Sequence, residues 1–496
     1  MRFDRQSGVF LHVTSLPGPH GVGDLGAGAR AFVDFLADAG QSLWQFCPLG
    51  PTSPAHGNSP YQSYSAFAGN PLLIGLDGLL ERGWLDAADL EPVPEFDRHG
   101  VEYDRVSTYK LSRLREAFEG FRERASADER AAFESFRERE SNWLADYALF
   151  RALKREFEEV LWTEWPAELK TRDPEALARH RERLSEEVDF RAFCQFVFDE
   201  QWRELRSDAA ARGVSLVGDL PIYVALDSAD VWSSPEAFLL DDEHEPAAVA
   251  GVPPNPGDSG QRWGNPLYDW ERLRERGYDW WLDRLSRLFD LVDVTRIDHF
   301  KGFDAYWAIP ADAEDPAAGE WRPGPGAEFF ETVERELGDL PFVVEDLGFL
   351  DPGLVELRDR FEFPGMRVPH YADWCSADDL YKPETYPENA VAYTATHDTN
   401  TTVGWYDGLP GDQRDCLHYA LGTDGSEINW SLLEAVWNSN AVLAFATMQD
   451  LLGLDAHARF NTPGTAEGNW RWRVTREGFD PGVADRLAEL TDIYIR

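Results

Sequence analysis

The sequence is poor in lysine and in positive charge. Its 496 residues include 47 Lys and Arg, of which five are lysine, against 90 Asp and Glu, and the formal net charge is −43. A charge of this sign repels phosphate, which argues against binding to nucleic acid or to an anionic membrane surface. Aromatic residues make up 13% of the chain, whereas chains that stay disordered through charge lack them, so we expect a folded protein.

The same excess of acid predicts adaptation to concentrated salt. At about 1 M salt the Debye length is only about 3 Å, so repulsion between surface carboxylates is screened. Most individual carboxylates are then expected to be solvated surface groups. We expect the protein to lose structure when it is dialysed into dilute buffer.

Cysteine and long apolar runs are also scarce. The four cysteines, Cys47, Cys194, Cys375 and Cys416, lie far apart, which supports neither a disulfide framework nor a zinc site. The first residues do not resemble a signal peptide, and no run approaches the roughly 18 apolar residues of a membrane span. These absences predict a soluble, cytoplasmic protein.

Short apolar runs rich in β-forming residues recur along the chain, and most are followed by a loop and a helical pattern. Strands that alternate with helices favour a parallel sheet, and eight of them predict an α/β protein with a closed (β/α)8 TIM barrel as its single domain. A doubly wound open sheet is the competing fold. The runs cover residues 8–13, 42–50, 214–224, 291–298, 341–346, 365–368, 390–398 and 442–450.

Gly21, Gly23 and Gly26 match the G-x-G-x-x-G pattern of dinucleotide-binding folds and precede a helical pattern over 27–39. Two prolines separate the first glycine from the preceding strand, whereas that motif needs its turn directly at the strand end. We therefore interpret the glycines as a turn at the start of a helix, and we expect no cofactor.

Two insertions are expected in the barrel. Residues 75–212 include a long region rich in Arg, Glu, Ala and Leu at helical spacing, which favours a helical subdomain over a coiled-coil partner surface. The segment 251–270 holds four prolines and four glycines around Trp263. It is expected to be a long loop, either an ordinary surface loop or one that covers the substrate at the barrel mouth.

Carboxylates stand at the ends of three predicted strands. Arg296 and Asp298 are two residues apart, which places them on one face of the fourth strand. Glu345 ends the fifth strand and Asp398 ends the seventh. Like charges that converge on the mouth of a barrel destabilise the fold, so a catalytic use is favoured. Glycosidic bond cleavage needs one carboxylic acid and one carboxylate.

A metal site and a serine hydrolase are the alternatives for this cluster. His299 and His397 each adjoin a carboxylate, but alternate strand faces would point the members of each pair apart, which disfavours a metal. The G-x-S-x-G elbow of many serine hydrolases is missing from the sequence. We therefore expect no metal ion.

At these residues the sequence resembles amylomaltase, the 4-α-glucanotransferase of glycoside hydrolase family 77. The likeness runs from about residue 8 to 473 and includes the motifs TRIDHFKGF, VVEDLGFLDPGL, YTATHDTNTTVGWY and ARFNTPGT. It implies a (β/α)8 barrel without a C-terminal β-domain and without a metal requirement. It also implies transfer of α-1,4-glucan segments between maltooligosaccharides and glucose, with no nucleic acid, membrane or obligate protein partner.

The resemblance further implies roles for individual residues. Asp298 resembles the nucleophile, Glu345 the general acid/base and Asp398 the stabiliser of the transition state. The side chains expected to contact sugar are Tyr61, Asp219, Arg296, His299, His397 and Asn461, with Trp263 and Asn265 offered by the 251–270 segment. Glu345 must be protonated near neutral pH, so burial or a neighbouring carboxylate should raise its pKa. A retaining enzyme would hold the two reacting carboxyl groups about 5 to 5.5 Å apart.

Two other functions could use part of this pattern. A hydrolytic amylase would use the same three carboxylates and would differ only in preferring water to a sugar acceptor. A non-catalytic glucan-binding protein would need aromatic side chains but neither an acid nor a nucleophile.

Overall fold

A closed barrel of eight parallel strands forms the centre of the computed structural model, as the sequence predicts. The structure describes residues 3–255, 259–348, 350–465 and 467–496. Each of the eight predicted apolar runs contributes one barrel strand, and the order around the barrel is β1-β12-β11-β10-β9-β6-β3-β2. The strands are β1 (Gln6–Phe10), β2 (Leu43–Gln45), β3 (Ser215–Pro221), β4 (Ala248–Val252), β5 (Gln261–Pro266), β6 (Val294–Asp298), β7 (Ala305–Pro310), β8 (Glu320–Pro323), β9 (Phe342–Val344), β10 (Gly365–Arg367), β11 (Ala390–Tyr393) and β12 (Leu443–Thr447).

The first and last strands of the chain close the barrel. β1 pairs with β12 in parallel over five residues, from Gln6 opposite Leu443 to Phe10 opposite Thr447. On its other side β1 pairs with β2. The barrel strands are almost wholly buried, as expected when helices cover a parallel sheet.

Helices surround the barrel and fill its long connections. Within the described residues, none of them is both long and apolar enough to cross a membrane. They are α1 (Ala27–Asp38), α2 (Leu76–Glu81), α3 (Tyr103–Arg124), α4 (Ala127–Arg139), α5 (Leu144–Glu156), α6 (Ala167–Lys170), α7 (Pro174–Arg183), α8 (Ser185–Ala211), α9 (Ala229–Ser233), α10 (Trp270–Glu275), α11 (Asp279–Leu291), α12 (Lys301–Asp304), α13 (Gly326–Leu337), α14 (Pro352–Arg360), α15 (Thr402–Asp407), α16 (Gly411–Leu421), α17 (Ile428–Asn438), α18 (Met448–Leu451) and α19 (Pro481–Tyr494).

The long connection between β2 and β3 contains α2 to α8. Its helices pack through aromatic side chains at helical spacing. Phe121 of α3 lies 5.6 Å from Phe133 of α4 and 5.1 Å from Phe193 of α8, measured between ring centroids. α4 begins with a capping box, in which Ser126 and Glu129 each accept the other's backbone N–H.

The prediction of a loop throughout 251–270 is wrong in part. β4 extends into this segment and β5 lies inside it, and the two pair antiparallel in a second sheet of order β5-β4-β7-β8. Prolines are tolerated here because β5 is an edge strand and Pro266 is its last residue. Residues 256–258, which belong to the predicted loop, lie outside the described residues.

The expectation that the cysteines form no disulfide is also wrong. Cys375 and Cys416 are bonded, with their Cα atoms 5.2 Å apart. Cys375 follows β10, and Cys416 lies on α16 beyond β11, so the barrel brings together two segments that are distant in sequence. Cys47 and Cys194 are buried free thiols.

Candidate active site

Three carboxylates lie at or just beyond the carboxyl ends of the barrel strands β6, β9 and β11. Asp298 is the last residue of β6, Glu345 directly follows β9, and Asp398 lies shortly beyond β11. These are the fourth, fifth and seventh barrel strands along the chain, which agrees with the placement expected from the sequence. The carboxyl ends of barrel strands form the face on which TIM barrels build their active sites.

Hydrogen bonds tie Glu345 to the chain around Asp298. The backbone N–H of Glu345 donates to the carbonyl of Ile297 over 2.9 Å, and that of Phe300 donates to the carbonyl of Glu345 over 3.1 Å. The backbone N–H of His299 donates to Glu345 Oε2 over 2.9 Å. His299 reaches this position with φ at 52°, in the left-handed region. The position of Glu345 relative to Asp298 is therefore fixed from both sides.

The pKa of Glu345 fits a group that must give up a proton near neutral pH. Burial of the carboxyl group and the negative charge of Asp298 raise this pKa to about 7, against an opposing effect of Arg296. The sequence analysis expected burial or a neighbouring carboxylate to raise the pKa of Glu345, and both do so here.

Arg296 bridges two carboxylates beneath the site. Its Nη1 lies 2.6 Å from Asp219 Oδ2 and 2.9 Å from Asp298 Oδ1, which confirms that Arg296 and Asp298 share a face. Burial alone would lower the pKa of Arg296, but the charges of Asp219 and Asp298 raise it well above its usual value. The guanidinium therefore supplies a permanent positive charge beside Asp298.

Asp398 is held as a carboxylate by its neighbours. Asn461 Nδ2 donates to Asp398 Oδ1 over 2.6 Å, and His397 Nε2 lies 3.3 Å from Oδ2. Burial alone would raise the pKa of Asp398, but His397 and Asn461 lower it to about 2. Asp398 in turn raises the pKa of His397, against the effect of burial.

The pairing of His397 with Asp398 corrects the argument from strand faces. β11 ends at Tyr393, so the two residues lie in a turn where alternation of side chains no longer applies. Over the described ranges, no group of three or more His, Cys, Asp and Glu side chains is arranged to hold a metal ion.

Tyr61 links the Asp219–Arg296 pair to the His397–Asp398 pair. Its hydroxyl donates to Asp219 Oδ2 over 2.7 Å and lies 2.9 Å from His397 Nε2. Its ring stacks on His397, with centroids 5.3 Å apart and planes inclined by 16°. Tyr61, Asp219, Arg296 and His397 are thus brought together around the carboxylates.

β5 brings Trp263 to the site and places Asn265 behind it. The ring of Trp263 meets that of His299 edge to face at 4.9 Å. Asn265 is buried, and its amide is already engaged: Nδ2 donates to the carbonyl of Val224 over 2.8 Å, and Oδ1 accepts from Gln62 Nε2 over 2.9 Å. The structure therefore places Asn265 as a support for β5 rather than at the open face of the site.

Other side chains of the site were missed in the sequence. Gln62 directly follows Tyr61 in the sequence, and this adjacency could have drawn attention to it. Trp470 lies 5.8 Å from the ring of Tyr61. Tyr371 is 51% exposed as a whole residue and ends a short 3-10 helix (Pro369–Tyr371) after β10. Burial of its hydroxyl, followed by the charges of Asp398 and Glu345, raises the pKa of that hydroxyl. No pattern in the sequence singles out Tyr371.

Comparisons with known proteins find similar sequences and a similar fold. The glycoside hydrolase 77 family, described as 4-alpha-glucanotransferase, matches residues 11–477. The chain is 46% identical to the 4-alpha-glucanotransferase of Synechocystis sp., over 99% of this chain and 98% of that one. It is 44% identical to the 4-alpha-glucanotransferase of Thermus thermophilus, over 99% of both chains. It is also similar to the solved structure of amylomaltase from Streptococcus agalactiae in complex with acarbose, with a TM-score of 0.95, 37% identity and 99% of each chain covered.

Proposed function

The chain belongs to the 4-alpha-glucanotransferase family, glycoside hydrolase family 77, and is an enzyme of glucan transfer; we propose that it works by a retaining double displacement. The donor is a maltooligosaccharide, and the acceptor is the 4-hydroxyl of a second glucan or of glucose. The complex of the Streptococcus agalactiae amylomaltase with acarbose supports an oligosaccharide as the ligand.

In the first step Asp298 attacks the anomeric carbon while Glu345 protonates the departing glycosidic oxygen. A covalent glucosyl-enzyme forms on Asp298, and the sugar beyond the cleaved bond leaves with the proton of Glu345. The pKa of Glu345, about 7, supports this division of roles because an appreciable fraction of the carboxyl is protonated at neutral pH. Arg296, whose Nη1 lies 2.9 Å from Asp298 Oδ1, holds the nucleophile in position.

Asp398 acts on the positive charge that develops at the sugar ring. A carboxylate with a pKa of about 2 stays ionised throughout the working pH range, so it can stabilise an oxocarbenium-like transition state. Tyr61 and His397 present their stacked rings beside it and are proposed to hold the sugar at the cleavage point. Asp219, Asn461 and His299 are proposed as further contacts to sugar hydroxyls.

In the second step Glu345, now a carboxylate, removes the proton of the incoming 4-hydroxyl. That oxygen attacks the anomeric carbon, and the bond to Asp298 breaks. Transfer requires that a sugar reach the intermediate before water does. We propose that the paired strands β4 and β5, of which β5 carries Trp263 to the ring of His299, shield this position until an acceptor is bound.

The observation that carries the proposal is the attachment of Glu345, with its raised pKa, to the segment that bears Asp298. Incubation with maltotriose in concentrated salt tests it. Glucose and longer oligosaccharides at a constant number of reducing ends support transfer. A rising number of reducing ends would show hydrolysis, and an unchanged substrate would show binding alone.

We also propose the conditions and the partners with which the enzyme works. The net charge of −43 supports operation in concentrated salt and disfavours a nucleic acid or an anionic membrane as a partner. We propose no obligate protein partner. A cytoplasmic location remains a prediction, and the bond between Cys375 and Cys416 counts against it because disulfides are typical of oxidising compartments. We further propose that residues 75–212 act as a helical subdomain of the single barrel domain.

A further inference from the structure

Two tryptophans lie side by side on the sheet that flanks the barrel. Trp307 on β7 is directly opposite Trp321 on β8, and their ring centroids are 5.2 Å apart. Trp321 is 43% exposed, and it is the only exposed residue among the 19 tryptophans of the chain, all of which lie in described positions. An exposed indole packed against a second, half-buried one forms an aromatic patch at the surface, the kind of feature that marks a binding site.

Both rings are held in place by their surroundings. Trp307 Nε1 donates to the carbonyl of Pro316 over 2.9 Å. A Cβ at Gly319 would lie 2.3 Å from that nitrogen, so a residue without a side chain is needed there. The ammonium group of Lys301 lies 5.2 Å from the ring centroid of Trp321. A ring fixed in this way loses little freedom when a ligand binds to it.

The tryptophan pair (Trp307 and Trp321) borders the segments that carry the catalytic carboxylates. Lys301, which contacts Trp321, is three residues beyond Asp298 in the sequence. Its ammonium group also binds Asp304 over 2.5 Å and Asp351, which ends the segment that begins at Glu345. Lys301 therefore links Trp321 to the segment that follows Asp298 and, through Asp351, to the segment that follows Glu345.

We propose that the tryptophan pair is a binding surface for the substrate glucan, outside the cleavage point, on which a glucose unit of a long chain stacks. The inference rests on the proposed function. An indole offers a large apolar face at little cost in conformational freedom, and the apolar face of a glucose unit matches it. The ligand is a neutral α-1,4-glucan, which the surrounding negative charge does not repel.

A surface of this kind acts only on substrates long enough to reach it. Trp321→Ala is therefore expected to raise the KM for maltoheptaose about three- to tenfold and to leave kcat, and both constants for maltotriose, unchanged. Trp321→Phe, which keeps a ring, should lie close to wild type. Tyr419→Ala is the matched control, because Tyr419 is 93% exposed on α16 and takes no part in the site. Equal effects on both substrates, or no effect on either, would overturn the inference.

Binding measured without turnover separates this inference from the proposed function. Maltoheptaose is titrated calorimetrically into Asp298→Asn and into the double variant Asp298→Asn/Trp321→Ala. Weaker binding to the double variant supports the surface, and equal binding overturns it, whatever reaction the wild type performs. The proposed function fails separately, if the wild type does not redistribute maltotriose.

Discussion

The backbone N–H of His299 donates to the Glu345 carboxylate over 2.9 Å from a left-handed conformation, with φ at 52°. A residue with a Cβ adopts this conformation at a cost of about 1–2 kcal/mol. The backbone turn directs the N–H of His299 at the acid, while its ring meets Trp263. His299 therefore positions the Glu345 carboxylate through its backbone N–H and contacts Trp263 of β5 through its ring.

The pH dependence of donor cleavage should follow the protonation of Glu345. With a pKa of about 7, the acid form predominates at pH 6 and is the minor form at pH 8, so kcat/KM for maltotriose should fall as the pH rises through 7. The measurement is a profile of kcat/KM from pH 5 to 9 in constant salt. A rate that stays level up to pH 9 would contradict the role of Glu345 as the acid.

Asp298→Asn should abolish transfer, with a loss of about 10³-fold or more in kcat, because the amide cannot form the glucosyl-enzyme. Asp38→Asn, at an exposed position that ends α1, is the control and should behave as wild type. Asp298→Ala supplied with α-maltosyl fluoride and azide should form β-maltosyl azide, since azide enters from the side that the carboxylate has vacated. Transfer by Asp298→Asn at near the wild-type rate would exclude Asp298 as the nucleophile.

Tyr61→Phe removes the hydroxyl between Asp219 and His397 but keeps the ring that stacks on His397. Loss of a hydrogen bond to a charged group costs about 1.5–3 kcal/mol, so kcat/KM should fall by about one to two orders of magnitude. Tyr64→Phe is a suitable comparison, because the hydroxyl of Tyr64 donates to Glu159 outside the site. If the two variants lose activity equally, the hydroxyl of Tyr61 has no particular role.

Replacing both bonded cysteines, as Cys375→Ser/Cys416→Ser, should lower the free energy of unfolding by about 2–4 kcal/mol, because the bond closes a long loop in the unfolded chain. Their sequence separation is 41 residues. Urea unfolding in concentrated salt measures the difference. A reductant should destabilise the wild type by a similar amount and leave the double variant unchanged; a wild type insensitive to reductant would show that no such bond is present in solution.

Dialysis into dilute buffer should unfold the protein, because a net charge of −43 is no longer screened. Circular dichroism at stepwise lower salt measures the loss of helix. A spectrum that is the same at high and low salt would contradict adaptation to salt. Neutral sucrose at equal osmolality serves as a control for effects other than charge screening.

The sequence predicted the parts of the molecule that follow from local pattern. Buried parallel strands are continuous apolar runs, so the barrel could be counted, and Asp298 and Glu345 could be placed at strand ends. The bond between Cys375 and Cys416 could not be predicted, because it depends on how loops meet across the barrel. β5 was missed because an edge strand tolerates the proline and glycine that elsewhere signal a loop.

Side chains outside regular strands were the hardest to place. His397 and Asp398 were expected to point apart, yet they pair because the strand has already ended. Tyr371, whose hydroxyl is influenced by the charges of Asp398 and Glu345, ends a short 3-10 helix after β10, for which the sequence carries no periodic signal.

The closure of the barrel by β1 and β12 sets an order of events during synthesis. β1 leaves the ribosome before the other barrel strands, and its partner Leu443–Thr447 follows more than four hundred residues later. Until then β1 and β11 each present an unpaired strand edge to the cell. A chain that terminates before β12 therefore keeps both edges open and is prone to aggregation, so translation through β12 is a condition for solubility as well as for activity.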